Sequence, residues 1–185
     1  MLIDPEEIQS FWFYEVGPAR WFAPDPVLDA TVRERYLAAH ERAALEELRE
    51  WEETPEGMLA LLLLLDTFPR RMFRGTARAY GTDDLALEYA RQAIIRHFDD
   101  RIDRTFKLFF YLPFVHSEKI GDQRLATFYL RERTKEPAWV DSAEWRHQVI
   151  QRFGRFPHRN KVLERESTPE EDAFLQEKQP ADSLI

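Results

Sequence analysis

Five of the 11 prolines in this chain follow directly on an acidic residue or a threonine: Asp4-Pro5, Asp25-Pro26, Thr54-Pro55, Glu136-Pro137 and Thr168-Pro169. Proline suits the first position of a helix, where the N–H it lacks would have had no partner and its fixed φ is already helical. The preceding Asp or Thr offers a side-chain oxygen to the free N–H groups of the first turn. Acidic residues just inside several of these starts complement the positive end of the helix dipole. Thr168 and Glu171 add a capping-box pattern. A chain punctuated in this way is committed to helices.

The apolar spacing agrees. Leu28, Val32, Tyr36, Ala39 and Ala43 recur every three or four residues after Asp25, which predicts a long helix with Arg and Glu on its other face. Further helices are expected over Thr54–Phe68, Asp83–Phe98, Asp103–Leu112, Asp122–Arg133, Pro137–Phe153 and Thr168–Glu177. No stretch keeps a two-residue alternation between turn signals, so the expected class is all-α. Short connections make successive helices antiparallel hairpins. At 185 residues, with 44% hydrophobic residues, one domain over 1–185 is expected, with a flexible tail from about 178 to 185.

Composition limits what such a domain can do. Its formal net charge of -8 opposes a broad basic footprint, so neither nucleic acid nor an anionic membrane is an expected partner. The absence of cysteine excludes disulfides and thiolate zinc sites and points to the cytoplasm. The run Met58–Leu65 is far shorter than the ~20 residues of a spanning helix and reads as a buried core helix. The N-terminus lacks the basic region of a secretory signal.

Three other prolines, Pro69, Pro113 and Pro157, lie 44 residues apart, follow apolar helical runs and are expected to stop or kink them. Each is followed by basic residues, as in Phe68-Pro69-Arg70-Arg71, Leu112-Pro113-Phe114-Val115-His116 and Phe156-Pro157-His158-Arg159. The interval fits a two-helix repeat. The three helices ending at these prolines are the third, fifth and seventh expected, so in an antiparallel stack their ends should meet on one side.

The candidate ligand-binding residues gathered there are Asp66, Arg70, Arg74, His116, Glu118, Arg155, His158, Arg159 and Asn160. Arg offers a planar fork suited to carboxylate or phosphate. The best reading is therefore a binding module for a small anionic ligand or the acidic end of a peptide. A His–carboxylate pair in the same place gives an alternative, a small hydrolase or transferase, and a helical groove for a protein partner gives another. The plainer account is that Arg and His merely cap helix C-termini and that Asp66 and Arg70 staple one turn. No cofactor and no metal is called for: HExxH, a Gly-rich phosphate loop and a Gly-x-Ser-x-Gly elbow are all missing. The aromatics at Phe11–Tyr14 and Trp21–Phe22 read first as core or lid packing. His40, His97 and His147 read as structural.

The strings Leu-Leu-Leu-Asp-Thr-Phe-Pro-Arg-Arg-Met-Phe-Arg-Gly-Thr-Ala-Arg-Ala (63–79), Phe-Tyr-Leu-Pro-Phe-Val-His-Ser-Glu (110–118) and Arg-Phe-Gly-Arg-Phe-Pro-His-Arg-Asn (152–160) resemble the bacterial "domain of unknown function 924" family. Phe-Trp-Phe near the N-terminus and Glu-Ser-Thr-Pro-Glu-Glu (166–171) extend the likeness to roughly Ile8–Leu175. The resemblance implies a tetratricopeptide-like superhelix of helical hairpins and assigns no activity, so no catalytic role passes to any residue. Thr67 and Arg71 stand where the family pattern carries Gln and Asn around the first Phe-Pro-Arg.

Overall fold

A computed structural model describes residues 3–177, and the tail expected at 178–185 lies outside them. Among the described residues the regular structure is entirely helical. We number the helices α1 (5–16), α2 (Pro26–Ala44), α3 (55–72), α4 (Asp83–Ile95), α5 (Leu108–His116), α6 (120–134), α7 (Pro137–Phe153) and α8 (Pro169–Gln176). The punctuating prolines all sit at helix starts. Asp4, Asp25, Thr54 and Thr168 each accept a first-turn N–H, at 2.9, 3.0, 3.0 and 3.2 Å, and the Thr168–Glu171 capping box is formed. Glu136 makes no such side-chain bond before Pro137.

Helix α3 is the hub. Met58 through Leu65 are at most 1% exposed because α1, α2, α4 and α5 all pack around this helix. A helix apolar on every side must be enclosed on every side. Its entry is equally tight: a Cβ on Gly57 would come within 2.2 Å of the Trp51 carbonyl oxygen. The aromatic groups Phe11, Trp12, Phe13, Tyr36, Phe68 and Phe109 interlock beside it, so the N-terminal aromatic run belongs to the core. A smaller apolar cluster of Val149, Ile150, Phe156 and Phe174 joins α7 to α8.

Two of the three prolines expected to stop or kink their helices do not end them. Pro69 lies inside α3 because a π-helical turn over Leu63–Thr67 precedes it. Widening the turn makes room for the ring and leaves carbonyls without helical donors. Those carbonyls are taken from outside the helix: His40 Nδ1 meets the Leu64 oxygen at 2.9 Å, and the Thr82 hydroxyl donates to that of Leu65 at 2.5 Å. Pro113 is likewise interior to α5, which starts late, at Leu108, and runs on to His116. The expected start at Asp103 becomes a turn in which the Asp103 side chain accepts the Thr105 N–H at 2.9 Å. Pro157 follows an end already made by Gly154, whose φ of 70° lies in the left-handed region, and it opens a short 3-10 turn over Pro157–Arg159.

Candidate functional site

The end of α3 carries Asp66, Arg70 and Arg74 at intervals of four, so the three side chains share one helix face. The C-terminal turn of α5 brings His116 to this face, and the turn after α7 brings His158 and Arg159. Arg146 from α7 and Tyr80 from the turn over Ala77–Tyr80 close the space. The result is a cleft of about 240 Å³ lined by Arg70, Arg74, Arg146, Arg159, His116 and His158, together with Gly75, Ala79 and Tyr80. The three segments expected to meet do meet.

Buried hydrogen bonds hold the arginines in place. Arg70 donates both Nη atoms to Asp83 at 2.9 Å, and it reaches the Asp66 carbonyl at 2.8 Å. Arg159, only 5% exposed, donates to the His116 carbonyl at 3.0 Å and lies over the Tyr80 ring at 4.6 Å. That bond also caps the end of α5, whose neighbouring carbonyls at Phe114 and Val115 are reached by the Gln123 amide. Arg74 lies half-exposed on Asp29 at 2.8 Å. Arg71 turns away from the 240 Å³ cleft and donates to Asp29 and to the carbonyls of Arg20, Trp21 and Ala23. It anchors the loop that carries Trp21 and Phe22.

At the base of the cleft His116 Nδ1 lies 2.7 Å from Asp66 Oδ1, with both side chains almost completely buried. Burial penalises both charged forms, raising the Asp66 carboxyl above its ordinary range. Burial, reinforced by the Arg70 guanidinium, pulls the His116 imidazole well below its ordinary value. His116 is thus neutral at pH 7. Among the described residues its Nε2 has no hydrogen-bond partner, nor has Nε of Arg159. Burial and the Arg70 charge also lower the pKa of Arg159, against the opposing pull of Asp83, 3.4 Å away, and Glu118.

The other three candidates are occupied elsewhere. Despite the penalty of burial, Arg165 at 2.7 Å and the Phe156 N–H at 2.7 Å hold Glu118 below the usual carboxylate range. Arg155 grips Glu171 through two bonds of 2.6 and 2.7 Å, and Asn160 reaches Ser167 and Glu171. Arg155 and its fellow donor, the Thr168 N–H, pull the Glu171 pKa down to about 2. These contacts fasten α8 onto the segment that presents Arg159. Asp83, Arg146 and Tyr80, absent from the expected set, reach the site from residues with no local motif. The nearest signal was the Asp at the start of α4.

Arranged this way, the cleft presents guanidinium and imidazole groups and, among the described residues, no carboxylate on its wall. Such a wall suits an oxyanion. Among the described residues no three His, Asp or Glu side chains gather as a metal site requires, and no helix is long and apolar enough to cross a membrane.

No curated protein matches this chain. A solved structure of a protein of unknown function, ATU0120 from Agrobacterium tumefaciens, is similar to it with 43% sequence identity and a TM-score of 0.90, covering 94% of this chain and 97% of that one. The profile of a bacterial protein family of unknown function matches residues 8–179, which include every residue of the cleft. The chain therefore belongs to the DUF924 family of bacterial proteins of unknown function.

Proposed function

We propose that this protein binds a small anionic ligand, or the acidic end of a peptide, in the cleft between α3, α5 and the turn after α7. The observation that carries the reading is the sign of the wall. A chain of net charge -8 gathers Arg70, Arg74, Arg146 and Arg159 around one cavity whose wall holds no carboxylate. Burying guanidinium groups is costly unless something negative completes their pairing. Leaving Arg146 aside, four guanidinium groups at positions 70, 71, 74 and 159 share the carboxylates of Asp29, Asp66 and Asp83. The balance is positive by one charge before any ligand enters.

Isothermal titration with inorganic phosphate, sulfate, acetate and short acidic peptides tests this. Arg159→Met keeps most of the side-chain volume and should weaken anion binding tenfold or more, since a lost charge-assisted contact costs on the order of 1.5–3 kcal/mol. Unchanged affinity in a variant that is folded by circular dichroism would refute the site.

The Asp66–His116 pair supports a second reading, a hydrolase or transferase. A neutral imidazole oriented by a carboxyl group at 2.7 Å, on the wall of an anion-binding cleft, is placed to accept a proton. Incubation with phosphate and carboxylate esters, following alcohol release, separates the two readings. Turnover lost in His116→Gln with anion affinity kept would establish the enzyme; binding without turnover leaves the module.

A further inference from the structure

We infer that the anion bound in this cleft carries a short apolar chain, seated in a second chamber that opens beside the basic one. This inference rests on the anion-binding reading and specifies its ligand. The second chamber, about 60 Å³, is lined by Trp21, Phe22, Thr67 and Leu112, with Arg71 at its edge. It shares Arg70, Arg74 and His116 with the basic cleft. The two spaces therefore meet along three side chains, one of them the buried imidazole whose Nε2 has no partner.

The chemistry of the two walls differs. One offers guanidinium and imidazole donors; the other offers an indole, a phenyl ring and a leucine side chain. A free oxyanion would satisfy the first and leave the second empty, whereas an anion bearing a chain of a few carbons would fill both. At about 60 Å³ the chamber is well under the roughly 150 Å³ of a cavity that takes benzene, so it suits such a chain and not a ring. Its rings are held from behind. Trp21 packs edge-on against Phe13 at 5.8 Å and Phe109 at 4.9 Å, and its indole N–H donates to the Trp12 carbonyl at 2.9 Å. Arg71 fixes the loop through the carbonyls of Arg20, Trp21 and Ala23. The apolar wall is thus built before a ligand arrives, which lowers the ordering cost of binding. Thr67 and Leu112 bring to it the same two helices, α3 and α5, that carry Asp66 and His116.

Matched pairs of probes decide the matter: inorganic phosphate against propyl phosphate, and acetate against butyrate. Each is titrated calorimetrically and by intrinsic tryptophan fluorescence. Propyl phosphate or butyrate should bind at least tenfold tighter than its small partner, and the stronger pair identifies the head group. Phe22→Ala, at a half-buried position, should reduce that ratio to within threefold while leaving the small anion's affinity unchanged. Leu112→Phe, which fills the chamber from the opposite wall, should do the same. Small anions that bind with no preference for the added chain would overturn this inference and leave the anion site standing. No binding by any of the four probes would overturn both. A chain preference untouched by both variants would place the apolar group elsewhere and overturn the chamber assignment.

Discussion

The pairing of Asp66 with His116 makes the stability of this protein depend on pH in a definite direction. In the folded chain His116 is held neutral by burial first and the Arg70 charge second, while in the unfolded chain it titrates near its ordinary value of 6.5. As pH falls below 6.5 the unfolded state takes up a proton that the folded state refuses, so stability declines. One such ring accounts for up to about 1.4 kcal/mol per pH unit. His40, also lowered by burial, acts in the same sense. Asp66 acts in the opposite sense at lower pH: its raised pKa lets the folded chain bind a proton before the unfolded chain does, which offsets part of the loss. Urea unfolding midpoints measured from pH 7 to 5 should therefore fall, and the fall should be shallower in His116→Gln. A slope unchanged by that substitution would mean the imidazole is charged in the fold. The histidine and aspartate could be named from sequence, but neither their shared proton nor their orphaned Nε2 could, because both depend on burial among helices distant in the chain.

At the scale of the element, the instructive case is Pro69. Sequence rules read an interior proline as a helix end, and the rule fails here because two distant side chains replace the missing backbone donors. Thr82 is the informative one: its hydroxyl, which would otherwise be free to cap α4, is committed to the Leu65 carbonyl. Removing it in Thr82→Ala leaves a buried carbonyl unpaired and should cost about 1–3 kcal/mol of unfolding free energy. Pro69→Ala restores a backbone N–H near that carbonyl, so the cost of Thr82→Ala should shrink in the Pro69→Ala background. A double-mutant cycle from chemical denaturation reads this coupling directly, and strictly additive effects would contradict the account. The five helix starts marked by Asp, Glu or Thr before proline, by contrast, were legible in advance, since caps act within three or four residues.

For the whole molecule, α8 serves the cleft without touching it. Glu171, 2% exposed, gathers Arg155, Asn160 and the Thr168 N–H, and in doing so fixes the segment from 155 to 160 that delivers His158 and Arg159 to the wall. Glu171→Gln should lower the melting temperature by on the order of 5 °C and weaken anion binding, although no atom of Glu171 lines the cavity. Far-UV circular dichroism should stay nearly unchanged, because the helices concerned are built on their own caps and on the large apolar cluster around α3. An anion affinity untouched by Glu171→Gln would show that the segment holds its place without α8.

By itself the sequence determined the class and most of the element starts, because helical caps, proline geometry and apolar period are local and act over a single turn. It also brought the right three segments together, since alternate helices in a stack must end on the same side. What only the tertiary structure decided is which charges serve the cleft and which are spent on architecture. Arg159 reaches a carbonyl 43 residues away and Arg71 carbonyls about 50 residues away, while Arg155 and Asn160, equally polar in sequence, are consumed in fastening α8 and Glu118 in holding Arg165 and the Phe156 N–H. Charge in a sequence has no direction; only packing assigns each guanidinium its partners, and only packing gathers four of them on one wall.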